Sequence, residues 1–175
     1  MGNESGKSIV TLVILTILIM IGASVIINYA QQMLQETKEQ DLRTNMLLIQ
    51  AETKKGVEEV CFHTVNLKES KQEDLTKIDE IKSEYLKGTK LNDSPTEVQE
   101  AIKNVPDFTF DENCYYLDEA TLTEMGIKDV DANENGYFIV KYDFSNADVE
   151  VINTKGSNGN YTLTEIFQII ENGQS

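Results

Sequence analysis

Residues 8–35 read SIVTLVILTILIMIGASVIINYAQQMLQ, a stretch without one charged side chain. Ile9 to Ile27 within it is almost wholly apolar. A helix needs about 20 such residues to cross the ~30 Å hydrocarbon core of a bilayer, where no water satisfies the backbone amides. The stretch therefore predicts a membrane-spanning helical segment over residues 8–30, preceded by a leader at 1–7 and followed by a polar body at 31–175. A cleaved secretory signal is a poorer match, because its apolar region is typically ~7–15 residues and ends at a small-residue site. Here Ala23-Ser24 lies inside the run, with further apolar residues after it. Asn28 to Glu36 then contains no Pro or Gly to stop a helix.

The helical signal continues past the apolar run. Leu42, Met46, Ile49, Thr53, Val57 and Val60 recur at steps of three and four and share one face. Glu36, Lys38, Glu39, Asp41, Arg43, Glu52, Lys54 and Lys55 lie between them. A continuous helix from about Ser8 to Phe62 would be on the order of 80 Å long. Its second half is amphipathic and needs something to pack on, which the rest of the chain must supply.

Lys71 to Leu86 carries Leu75, Ile78, Ile81 and Tyr85 on a stripe, with Gly88 beyond as a stop, and predicts a second helix. Ser94-Pro95-Thr96-Glu97 has the form of a capping box and predicts a short helix to about Lys103. Phe108 and Phe110 alternate with polar residues toward Cys114-Tyr115-Tyr116-Leu117, which predicts a strand. Asp118 to Met125 reads as a short helix closed by Gly126. Gly136 to Phe144 is the clearest strand, and a turn at Ser145-Asn146 joins it to Asp148 to Ile152 as a hairpin. Lys155 to Asn160 reads as a loop. Thr162 to Glu171 suits a short helix capped by Thr162 with Glu165, while Ile166, Phe167, Ile169 and Ile170 would also suit a strand.

The expected fold class is α+β: a long N-terminal helix, transmembrane then amphipathic, packed by a small C-terminal body of short helices and an antiparallel β-hairpin or sheet. The 175 residues leave room for one compact domain beyond the anchor. With 30 Asp+Glu against 15 Lys+Arg, the formal net charge is −15. Such a surface repels phosphate backbones, so no direct nucleic-acid binding is expected.

Cys61 and Cys114 are the only cysteines. In a body outside the cytoplasm they are expected to pair, closing a long loop and adding roughly 2–4 kcal/mol. The alternative is two buried reduced thiols. Asp131, Asn133 and Asn135 match the first half of a calcium loop, but Tyr142 stands where the closing bidentate Glu belongs. Asp129 or Asp143 would have to substitute, and an Asn-Gly turn explains Asn135-Gly136 equally well. The expectation is no metal and no cofactor. Gly2 to Ser8 has one residue too few before Gly6-Lys7 for a phosphate-binding loop, and no strand before it. His63 is the sole imidazole, set on a helix with no nearby acid–serine pattern, so no enzyme is expected.

Gly6-Lys7-Ser8 followed by Thr11-Leu12-Val13-Ile14-Leu15, a short leader, a long apolar helix containing Gly22 and a polar body resemble the type IV pilins and pseudopilins. The resemblance implies cleavage after Gly6 by a prepilin peptidase, with Lys7 as the new terminus. It further implies departure from the membrane into a filament whose core is the bundled apolar helices. The family's carboxylate near the terminus, which pairs with a neighbour's amine, is replaced here by Thr11 or Ile14, depending on the alignment. The expected partners are then the membrane, other pilin-like subunits through the N-terminal helix, and a prepilin peptidase. The expected location is the cell membrane, crossed once, with the body extracytoplasmic. The functional expectation is a structural or assembly subunit of a type IV pilus or type II secretion-like filament. The alternative is an unprocessed membrane-anchored binding or sensor domain whose long helix is a stalk.

Overall fold

The computed structural model describes the backbone over residues 4–69, 75–128, 130 and 135–173, and side chains over 31, 33–65, 76–128, 130 and 135–168. Helix α1 is Glu4–Glu69 and helix α2 is Leu75–Tyr85. Strand β1 is Thr89–Lys90, followed by a 3-10 turn at Leu91–Asp93 and helix α3 at Thr96–Ala101. A second 3-10 turn at Ile102–Asn104 leads to β2, Cys114–Leu117, and α4, Glu119–Glu124. Strands β3 (Phe138–Asp143), β4 (Asp148–Ser157) and β5 (Asn160–Thr162) precede the last helix, α5, at Leu163–Gly173. The chain divides into two units, Met1–Asp41 and Leu42–Ser175.

The first unit is helical from Glu4 onward. Among the described residues no helix is long and apolar enough to cross a membrane. The apolar run Ile9 to Ile27, expected to do so, lies where side chains are outside the described residues.

In the second unit, five strands form an antiparallel meander in the order β1-β2-β3-β4-β5. Phe138 pairs with Asn153 and Asp143 with Asp148, so the expected hairpin forms in register from end to end. Its turn is tied by the Asp143 carboxylate, which accepts from Ser145 N at 2.8 Å and Asn146 N at 3.2 Å.

Strand alternation sends β3 side chains to two cores. Phe138, Val140 and Tyr142 face the larger one, with Val149, Val151 and the α1 stripe Met46, Ile49, Val57 and Val60. Ile139 faces the other way, with Cys114, Ile152, Leu91, Val98 and Val105. Because both faces of β3 are covered, its first three residues are all apolar rather than alternating. Thr53 interrupts the α1 stripe without leaving a buried hydroxyl unpaired, since Oγ1 donates to Ile49 O at 2.6 Å.

At Gly56, α1 lies directly against the end of α2. A Cβ there would lie 2.4 Å from the Tyr85 carbonyl oxygen. The chain leaving α2 is then held from the sheet: Tyr142 Oη accepts from Lys87 N at 3.1 Å and donates to Lys87 O at 3.0 Å.

Several local expectations are corrected. Ser94 does not cap α3; its hydroxyl turns back to donate to Leu91 O at 2.7 Å, so the capping box is not made. Phe108 and Phe110 precede rather than extend β2, stacking edge-to-face at 4.8 Å against the smaller core. The segment expected as a loop from Lys155 continues β4 to Ser157 and turns through Asn158-Gly159 into β5. A bulge accommodates this, because the step from Ile152 to Ser157 in β4 opposes only the step from Thr162 to Asn160 in β5. Buried Asn153 fills it: Nδ2 donates to Asn135 O at 2.9 Å, and Oδ1 accepts from Lys155 N at 3.0 Å and Gly156 N at 2.9 Å. The last element is a helix, and its box is formed. Glu165 Oε2 accepts from Thr162 N at 3.0 Å and Tyr161 N at 2.9 Å.

Candidate interaction surface

The body binds α1 on one side only. At about 100° per residue, Leu42, Met46, Ile49, Thr53, Val57 and Val60 fall together, and Leu47, Leu48, Ala51, Phe62 and Val65 fall on the opposite side. The first set is covered by the sheet and α2. Of the second, Leu47 is 38% exposed, Leu48 43%, Phe62 64% and Val65 54%. Single exposed apolar residues are ordinary; here four stand on the side of α1 opposite the core, as two pairs with exposed Lys55 and Glu58 between them.

At its C-terminal end the surface borders a cavity of about 240 Å³ between α1, α2 and the β3–β4 turn. Val60, Cys61 and Val65 of α1, Ile78 and Lys82 of α2, and Phe144 line it. Lys82 Nζ stands 4.5 Å above the Phe144 ring, which shields one side of the ammonium. Cys61 Sγ donates to Phe144 O at 3.3 Å. Burial raises the Cys61 thiol pKa, and the Asp143 carboxylate adds to the shift, so the thiol stays protonated. Beside the cavity, His63 stacks on Tyr85 at 5.3 Å, meets Phe62 edge-on at 5.6 Å and lies 3.7 Å from Glu59.

The expected pairing of Cys61 with Cys114 is not formed; both are free. Cys61 packs against the larger core and Cys114 sits in the smaller one, so the sheet separates them. Cys114 accepts from Asp111 N at 3.5 Å, and burial pushes its thiol up to about 11. Such a group is a packed thiol rather than a nucleophile.

Of the calcium-loop residues, Asp131 and Asn133 lie outside the described residues, as does Asp129. Asn135 gives its carbonyl to Asn153, and Asp143 is committed to its own turn. Among the described residues no three His, Cys, Asp or Glu side chains are grouped to hold a metal. A hollow of about 410 Å³ does gather Asp111, Asp143, Asp148 and Glu150. Each carboxylate there already has a partner: Lys141 at 2.8 Å for Asp111, Lys54 at 3.1 Å for Asp148, and Thr164 N at 3.1 Å for Glu150. Gly6 and Lys7 belong to α1, where their side chains lie outside the described residues.

The exposed side of α1 has no signal of its own in the sequence: Leu47, Leu48, Phe62 and Val65 stand out only once the opposite side is known to be covered. No family model, curated protein or solved structure matches the chain.

Proposed function

We propose that the chain is a membrane-tethered structural subunit that works by associating with its neighbours along α1, in the manner of pilin-like filament subunits. The apolar run Ile9 to Ile27 would hold it in the bilayer, and cleavage after Gly6 would release it for assembly with Lys7 as the new terminus. The body would lie outside the cytoplasm. The observation that carries this is the two-sided second half of α1, with one side sealed by the body and the other open and carrying Leu47, Leu48, Phe62 and Val65 among polar residues.

The magnitudes explain why a tether belongs to such a design. Full burial of one large apolar side chain is worth roughly 1.5–3 kcal/mol, so four that are about half exposed supply on the order of 4 kcal/mol per protomer. Association in solution costs an estimated ~4–15 kcal/mol in lost translation and rotation. Confinement to a membrane or a filament raises the effective concentration and reduces that cost.

Cross-linking of the full-length chain in its membrane tests the proposal. The native chain should give multimers, and L47K/L48K should lose them. Intact-mass analysis of the same material should show loss of residues 1–6. Wild-type monomers together with an intact Met1 would refute it.

A further inference from the structure

We propose that the half-open hollow between α1, α2 and the β3–β4 turn binds a small carboxylate bearing an apolar chain, with the chain against the wall and the carboxylate on Lys82. This site does not depend on association along α1. Its volume is about 240 Å³, and Val60, Val65, Ile78 and Phe144 supply its apolar wall. A closed apolar cavity of about 150 Å³ takes up benzene, so a half-open one of this size has room for a chain of about five or six carbons.

The polar groups of the wall decide which headgroup fits. Cys61, Thr64 and Lys82 contribute them. Cys61 Sγ donates to Phe144 O at 3.3 Å, and Thr64 Oγ1 donates to Val60 O at 2.7 Å, so both hydrogens are committed within the fold. The Lys82 donors are not. Its side chain is half-buried, its Nζ lies 4.5 Å over the Phe144 ring, and it makes no ion pair among the described residues. The ring covers one side of the ammonium and leaves donors on the others. Asp143, whose charge is felt at Cys61, turns its oxygens to Ser145 N, Asn146 N and Asn146 Nδ2 instead.

An apolar pocket with one uncommitted cation selects a ligand with an apolar body and one anionic head. A carboxylate there accepts charge-assisted hydrogen bonds beside a wall that offers no competing polar group. With a formal net charge of −15 the chain repels small anions in general, so the head alone is not held and the apolar chain must contribute.

Protection of the Cys61 thiol tests the site, because that thiol lies in the wall and an occupant shields it. The full-length chain in detergent micelles is alkylated with iodoacetamide in the presence of hexanoate, hexanamide or acetate, and the modified cysteine is read by peptide mass. Each comparison is a ratio of rates with and without ligand, so differences in the thiol itself cancel. Hexanoate should slow Cys61 about tenfold once its concentration is about ten times Kd. Hexanamide, the same chain without the charge, should bind about tenfold more weakly. Acetate should give no protection. K82Q should erase the difference between hexanoate and hexanamide, and I78W, which fills the hollow, should abolish protection. Near-UV circular dichroism reports that each variant keeps its fold. No protection by hexanoate overturns the site. Equal protection by hexanamide overturns the role of Lys82, and equal protection by acetate overturns that of the apolar wall. Slowing that persists in folded I78W assigns the effect to the micelle and overturns the site as well.

Discussion

Replacing Gly56 by alanine should destabilise the body, although the same change in most helices would stabilise it. Glycine in a helix interior costs about 1 kcal/mol relative to alanine, so the added methyl begins with a credit of that size. In this fold the new Cβ would meet Tyr85 O at 2.4 Å and Tyr85 C at 3.3 Å. The obstacle is main chain, which cannot rotate away as a side chain would. The end of α2 would have to retreat by most of an ångström to restore van der Waals contact. Leu86 is buried next to it, and both polar groups of Lys87 are tied to Tyr142 Oη.

Overpacking of this kind costs about 1–3 kcal/mol, and loosening the Tyr142 hydrogen bonds adds about 1–3 kcal/mol. Against the 1 kcal/mol credit, the net loss is about 1–5 kcal/mol. For a chain of this size each kcal/mol moves the midpoint by about 2–4 °C, so Tm should fall by several degrees. Thermal unfolding of the full-length chain in detergent, followed by the near-UV circular dichroism of its tyrosines, measures this without interference from residual α1 helix. A G56A chain as stable as the wild type, or more so, would refute the close α1–α2 approach and the energetic reasoning built on it.

Two further predictions follow from the same structure. Non-reduced protein should show both cysteines as thiols: Cys61 should react slowly in the native state, and Cys114 should react only on unfolding. A mass that rises by two hydrogen atoms on reduction would refute the separation of the cysteines by the sheet. Stability should also fall in acid. The Lys141 ammonium bonded to Asp111 holds that carboxyl below its usual range, and the Thr121 hydroxyl and amide do the same for Asp118 at the start of α4. A carboxyl whose folded pKa is depressed contributes stability above the unfolded value, about 3.9, and loses it as pH falls through the folded value. Denaturant midpoints should therefore be flat near neutrality and drop below about pH 4, and D118N should lessen the drop. A midpoint unchanged into that range would refute the assignment.

Local patterns carried much of the fold. The stripe from Leu42 to Val60 could be read because helical period alone sorts those residues onto one side. The short helix after Asp118 and the Thr162–Glu165 box each need only residues within a turn or two, although the apolar residues after Thr162 also suit a strand; that the Asp118 carboxylate caps its helix comes from the structure. The Ser94 box shows the limit of such patterns. Its spacing is correct, but the hydroxyl found Leu91 O, made available by the preceding 3-10 turn. The bulge in β4 was hidden for a related reason: Asn153 has the composition of a turn residue, and only its three main-chain partners make it part of a strand.

By itself, the charge-free stretch at 8–35 and the periodic stretch after it determined a long helix, apolar first and two-sided later, with an α+β body for the second part to pack on. Periodicity is a property of one segment and is written in that segment. Which side of the helix the body covers, which glycine lets α2 approach, and that the two cysteines stand on opposite sides of a sheet depend on elements far apart in the chain. Tertiary packing decided those. In covering one side of α1 it also defined the uncovered one, which carries Leu47, Leu48, Phe62 and Val65.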